Sequence, residues 1–231
     1  RVVAQKSWLR AKRAPFTVQF AFAPFFLIAF RLESVVLEGT VPPNLPLLVG
    51  LAGATGTGAA FTLNPLGGEE RVLPLTLTAK LSGRAFVSGL VLAGALPGVT
   101  ATALLVAGVG LAGGMALVTL AATLVTALSA ATAAPAIAAA AGVVFPKFGR
   151  TTVGDREVVI PSALAFGGYL AVLGVVAAPG TVATLSLLGT APAGAPGLLA
   201  SGVAATVLLA TVAGTIGFRY AATRVGAYRL E

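Results

Sequence analysis

Residues 85–146, AFVSGLVLAGALPGVTATALLVAGVGLAGGMALVTLAATLVTALSAATAAPAIAAAAGVVFP, run for 62 positions without a charge. A charged side chain at mid-bilayer costs about 2.5–3.5 kcal/mol, and about 20 apolar residues suffice for a helix to cross. This stretch is therefore long enough for two membrane spans, with the turn at Gly108–Gly114, where four glycines interrupt it. Working outward, three more stretches are charge-free: 14–30 (17 residues), 39–68 (30) and 158–218 (61). The whole chain of 231 residues is 57% hydrophobic and only 10% charged, with a mean hydropathy of +0.98, against about 25% charged residues in a soluble domain. A soluble globular domain, a disordered chain and a collagen-like repeat are excluded together.

The expected fold is all-α, a polytopic helical membrane domain over 1–231 with six transmembrane helices near 15–31, 43–63, 86–108, 113–142, 161–178 and 198–218. A Gly/Pro segment, Pro179–Gly197, joins the last two. Residues 1–14 form a basic interfacial elbow, and 64–84 a loop with short apolar positions suited to an interface. Lys and Arg accumulate in cytoplasmic loops, and on this segmentation 14 of the 15 basic residues fall on one side, leaving Arg31 on the other. Cytoplasmic N and C termini follow, and the net charge of +8 is read as a topology signal that also meets anionic lipid, not as a nucleic-acid patch. A secretory signal peptide is disfavoured because Arg31-Leu-Glu33 follows the first apolar run with no small-residue cleavage site. The chain begins with Arg1 and its only Met is Met115, so a native start is expected upstream.

His and Cys are both absent, which removes imidazole acid–base chemistry, thiol nucleophiles and Cys/His metal sites. The run Gly53-Ala-Thr-Gly56-Thr-Gly58 has no Gly-Lys-Ser/Thr ending, so it reads as helix packing, not as a phosphate loop. No ionisable residue lies within an expected span, against a self-contained proton-coupled pump. No catalytic residue, cofactor or metal site is expected in this chain. The pairs Gly94/Gly98 and Gly110/Gly114 and the set Gly50, Gly53 and Gly56 are expected to let helix backbones approach within the chain. Pro97 and Pro135 are expected to kink the third and fourth helices.

The most distinctive segment is Asn64-Pro-Leu-Gly-Gly-Glu69-Glu70-Arg71-Val-Leu-Pro74-Leu-Thr-Leu-Thr, continuing through Ser82-Gly83-Arg84-Ala-Phe-Val-Ser-Gly89-Leu-Val-Leu-Ala-Gly94. It resembles the loop between helices 2 and 3 of ABC-2-type transporter permeases, where a Leu-Pro-Leu turn and a Ser-Gly-Arg step lead into the third helix. The second loop, Phe145-Pro146-Lys147-Phe148-Gly-Arg150 through Asp155-Arg156-Glu157 to Pro161-Ser162, looks like the connection between helices 4 and 5 of archaeal, especially halophilic, permeases of this type. Leu90 stands where the family commonly has Lys or Arg, so no basic role is carried over to that position. The basic N-terminal stretch with Trp8 looks like the family's elbow, and Pro179–Gly197 lies where the family often has a re-entrant turn. The resemblance implies an exporter's membrane subunit in the cell membrane, paired with a second permease half or a second copy. A separate ABC ATPase would grip Glu69, Glu70, Arg71 and Arg84. A scaffold that only holds partners, and a membrane-embedded enzyme using the Asp155–Glu157 cluster, are the alternatives.

Overall fold

The computed structural model describes residues 2–13, 15–26, 28–69, 81–149, 151–153, 156–158, 160–189 and 196–228. They form α1 (Val2–Arg13), a 3-10 segment (Pro15–Ala21), α2 (Ala23–Phe26), α3 (Ala29–Glu38), α4 (Leu45–Ala59), a 3-10 turn (Gly67–Glu69), α5 (Gly83–Ala112), α6 (Leu117–Val144), α7 (Ala163–Leu187) and α8 (Pro196–Ala227). The exception to the helical pattern is a ribbon of β1 (Thr151–Val153) and β2 (Arg156–Val158), antiparallel with Thr152 opposite Glu157. Four helices, α5 to α8, are long and apolar enough to cross a membrane. At about 1.5 Å per residue the 30 residues of α5 reach about 45 Å, beyond a hydrocarbon core of about 30 Å.

Local chemistry sets where these helices start and turn. Ser82 caps α5, its Oγ accepting the Ala85 N–H at 3.2 Å. The chain reverses into α6 through Gly114, whose φ of +65° suits a residue without Cβ, and the Met115 N–H returns to the Gly110 carbonyl at 2.9 Å.

Glycine and alanine dominate the interior, so helices meet backbone to backbone. The core joins Ala54 and Leu63 with Ala130, Ala134, Leu173 and Ala210 from α6, α7 and α8. Tyr169 is fully buried there, its hydroxyl donating to the Thr55 carbonyl at 2.8 Å. Space for that hydroxyl comes from Gly58, where a Cβ would stand 2.4 Å from it. Gly50, Gly53, Gly56, Gly94, Gly98 and Gly110 each abut another segment of the same chain, while Gly114 serves the turn.

Three expected segments differ. In place of one helix over 15–31 the chain forms the 3-10 segment, α2 and the start of α3. Pro15 and Pro24 each lack an N–H, and both sit at or beside an element start, where a proline is tolerated. This segment packs along α4 in the opposite direction: the Ala21 carbonyl abuts Gly56, while Phe25 and Ile28 join Leu45 and Val49. α4 itself is 15 residues, about 22 Å, shorter than the expected 43–63. Pro42 and Pro43 precede it, and three glycines at 53, 56 and 58 lower the helix propensity of its second half. Nearly all of α4 is buried among its neighbours.

The third difference is Pro179, expected to end the fifth helix, which lies inside α7 instead. The Gly180 N–H, next to the proline, donates to Thr206 Oγ1 of α8 at 2.8 Å, a partner across the helix interface. α8 likewise continues past 218 to Ala227, because Arg219 and Arg224 are compatible with helix even where they end an apolar run.

One end of the bundle collects α1, the 64–69 turn, the start of α5, residues 145–148 and the end of α8. Gly83 abuts the Ala222 carbonyl, and the Phe148 and Tyr228 rings lie 6.3 Å apart. This basic end carries Lys6, Arg10, Arg84, Lys147 and Arg224. At the opposite end, Pro42, Pro43, Met115, Thr119 and Leu188 surround a cavity of about 320 Å³.

Candidate functional site

The turn after α4 is organised by one side chain. Asn64 donates through Nδ2 to the Lys147 carbonyl at 2.8 Å, and its Oδ1 accepts from the Gly67 N–H at 3.2 Å. Gly67 permits the approach, since a Cβ there would stand 2.1 Å from the Lys147 carbonyl oxygen. The turn is thereby tied to the end of α6.

Its last residue, Glu69, is buried beneath α1. Lys6 and Arg10, one helical turn apart, converge on it: Lys6 Nζ donates to Oε2, and Arg10 Nη2 donates to Oε1 at 2.8 Å. Arg10 Nη1 also donates to the Gly68 carbonyl at 2.8 Å. Burial pushes the Glu69 carboxyl upward, but the bonds and charges of Lys6 and Arg10 outweigh burial and hold it below the ordinary carboxylate range. Farther along, Trp8 Nε1 donates to the Ala93 carbonyl of α5 at 2.9 Å, and Val3 sits on Gly89. α1 is thus clamped to the bundle by an ion-pair cluster and an indole.

The four expected contact residues therefore separate. Glu69 is an internal clamp; Glu70 and Arg71 lie outside the described residues; Arg84, exposed in the first turn of α5, lines a cleft. That cleft, about 1060 Å³, lies between α5, α6 and α8. α8 supplies Thr211, Thr215, Arg219 and Thr223, a stripe at four-residue spacing, and α6 supplies Ser129 and Thr132. The flank of α8 toward α7 differs: Val172, Val175, Leu209, Val212 and Ile216 line an almost wholly apolar groove of about 730 Å³. α8 therefore separates a hydroxyl-lined face from an apolar one.

Reading the sequence alone missed the clamp cations and the stripe. The signals were there in the i, i+4 spacing of Lys6 with Arg10 and of Thr211, Thr215, Arg219 and Thr223. Among the described residues no group of three or more His, Cys, Asp or Glu could hold a metal ion.

Fold and site together define a helical protein with four helices long and apolar enough to cross a membrane, carrying a clamped helix and a hydroxyl-lined cleft at its basic end. Comparison with protein-family models, curated proteins and solved structures finds no match for this chain.

Proposed function

We propose that this chain is the membrane-spanning permease subunit of an ATP-driven ABC-2-type transporter, an exporter of the cell membrane. In this reading the chain passes the membrane six times, and the basic end is cytoplasmic. A separate ABC ATPase docks on that end, and a second permease half or a second copy completes the translocation route. The observation that carries the reading is the mechanical continuity at Glu69. The turn after α4 is held under α1 through Glu69, α1 is bonded to α5, and Asn64 ties the same turn to Lys147, just beyond α6. A push on this segment by a closing ATPase moves three helices and the elbow as one body, which is the coupling an ATP-driven carrier needs. The resemblance of 69–94 to the family's loop between helices 2 and 3 supports the same assignment.

Within it Glu70 and Arg71 are the direct ATPase contacts, Arg84 borders the docking face, and Glu69 transmits force without touching the partner. Affinity co-purification of the full-length protein from its native membrane tests this. A Walker-motif ATPase is expected in the eluate. Its yield falls by about tenfold or more with Glu70→Ala/Arg71→Ala, as expected for loss of interfacial charge pairs. An intact protein that carries no ATPase under conditions preserving other membrane complexes overturns the assignment.

A further inference from the structure

We infer that the cleft between α5, α6 and α8 binds an anionic phospholipid, its phosphate held by Arg84 and Arg219 and its glycerol region by the hydroxyl stripe beneath. The two guanidiniums come from different helices into one cavity. Among the described residues no carboxylate pairs with either, whereas Lys6 and Arg10 meet Glu69. An arginine does not escape its charge by losing a proton, and its planar fork suits a phosphate's oxygens. The first turn of α5, where Arg84 sits, adds potential of the same sign.

The rest of the cleft selects what the phosphate is attached to. Below the arginines, Thr211, Thr215, Ser129 and Thr132 alternate with alanine, glycine and valine, a wall of mixed polarity. An acyl chain alone fits the greasy groove across α8 better, and a free phosphate ion leaves most of 1060 Å³ unfilled. A phospholipid headgroup and backbone match both the charge and the graded wall. The occupant belongs to the leaflet at the basic end, where anionic headgroups meet juxtamembrane arginines. This inference goes beyond the transport assignment and stands without it.

Native mass spectrometry of the full-length protein, purified in detergent and titrated with phosphatidylglycerol or phosphatidylcholine of matched chains, tests the site. The wild-type protein is expected to retain phosphatidylglycerol about tenfold or more in preference, given roughly 1 kcal/mol per basic residue facing anionic lipid. Arg84→Gln/Arg219→Gln, at two exposed positions, reduces that preference to about twofold or less. Size-exclusion profile and circular dichroism of the variant remain those of the wild type. Inorganic phosphate at millimolar concentration does not compete. The inference is overturned by equal retention of the two lipids, by a preference that survives the double change, or by full competition from inorganic phosphate. A change of oligomeric state with unchanged lipid selection also overturns it, because the cleft is then a protein interface. No ATPase is present in the assay, so its outcome is separate from that of the co-purification.

Discussion

Valine at both Gly53 and Gly98 is expected to abolish the folded bundle. These glycines sit at the crossing of α4 and α5 in a reciprocal arrangement. A Cβ on Gly53 would lie 2.4 Å from Thr102 Oγ1, and a Cβ on Gly98 would lie 2.3 Å from Thr57 Oγ1. Neither threonine is free to turn away. Thr57 Oγ1 donates to the Gly53 carbonyl at 2.7 Å, and Thr102 Oγ1 donates to the Gly98 carbonyl at 2.8 Å. Each hydroxyl is thus bonded one turn back on its own helix while its side chain fills the notch of the other. Relief requires moving the helices apart, which opens the packing around Gly50 and Gly94 as well. Each substitution costs at least the roughly 1–3 kcal/mol of an overpacked core, and the two, sharing one interface, do not act independently. Thermal unfolding in detergent, followed by loss of the monodisperse size-exclusion peak, reads the effect. Gly108→Val and Gly174→Val are the controls, because nothing lies within 4 Å of a Cβ at either position. A double variant with the wild-type midpoint contradicts this packing.

Removing the Glu69 carboxylate is expected to free α1 from the bundle. Lys6 and Arg10 are about 40% exposed and remain solvated, while the Glu69 side chain is only 5% exposed. Glu69→Ala therefore loses charge-assisted bonds of about 1.5–3 kcal/mol each before solvent screening, and on the order of 1–2 kcal/mol net. That corresponds to a rise of about tenfold in the fraction of molecules with α1 undocked. Lys6, Arg10, Lys12 and Arg13 make α1 a trypsin substrate once released, so the rate of tryptic cleavage there is the readout. Glu69→Gln, which keeps an acceptor but no charge, falls between. Acid has the same sign. A carboxyl held below its ordinary value of 4.5 supports docking fully above that value, and the support is lost as pH falls through the lower, folded value. Equal cleavage of wild type and Glu69→Ala contradicts the clamp.

The four long helices were legible because one rule governs them: no charge is carried through the bilayer. The turn expected over Gly108–Gly114 was legible in part: Gly108 and Gly110 lie inside α5, which runs to Ala112, and the chain reverses at the adjacent Gly113 and Gly114, the second with a positive φ. Where the reading failed, continuity was inferred from composition. Residues 15–31 are charge-free, yet Pro15 and Pro24 divide them, and α4 keeps them in place without one unbroken helix. Pro179 failed in the other direction. A proline reads as a stop until a hydroxyl on another helix, Thr206, takes the neighbouring amide. Glu69 was identifiable as a distinctive residue of the loop, but its partners lie 59 and 63 positions away, beyond any local pattern. Its role changed accordingly, from a surface contact to a buried support. Arg84 was singled out for its place after Ser82-Gly83, and its geometry relates it to Arg219 of α8, a pairing only the helix packing brings about.

All four lysines of the chain, Lys6, Lys12, Lys80 and Lys147, fall in segments that the charge pattern of the sequence places on one side. Lysine-reactive cross-linking in native membranes, read by mass spectrometry on the full-length protein, therefore examines the proposed docking face directly. The account predicts cross-links from these lysines to a Walker-motif ATPase, together with Lys6–Lys147 links within the chain. Abundant Lys6–Lys147 links with none to any ATPase would contradict it.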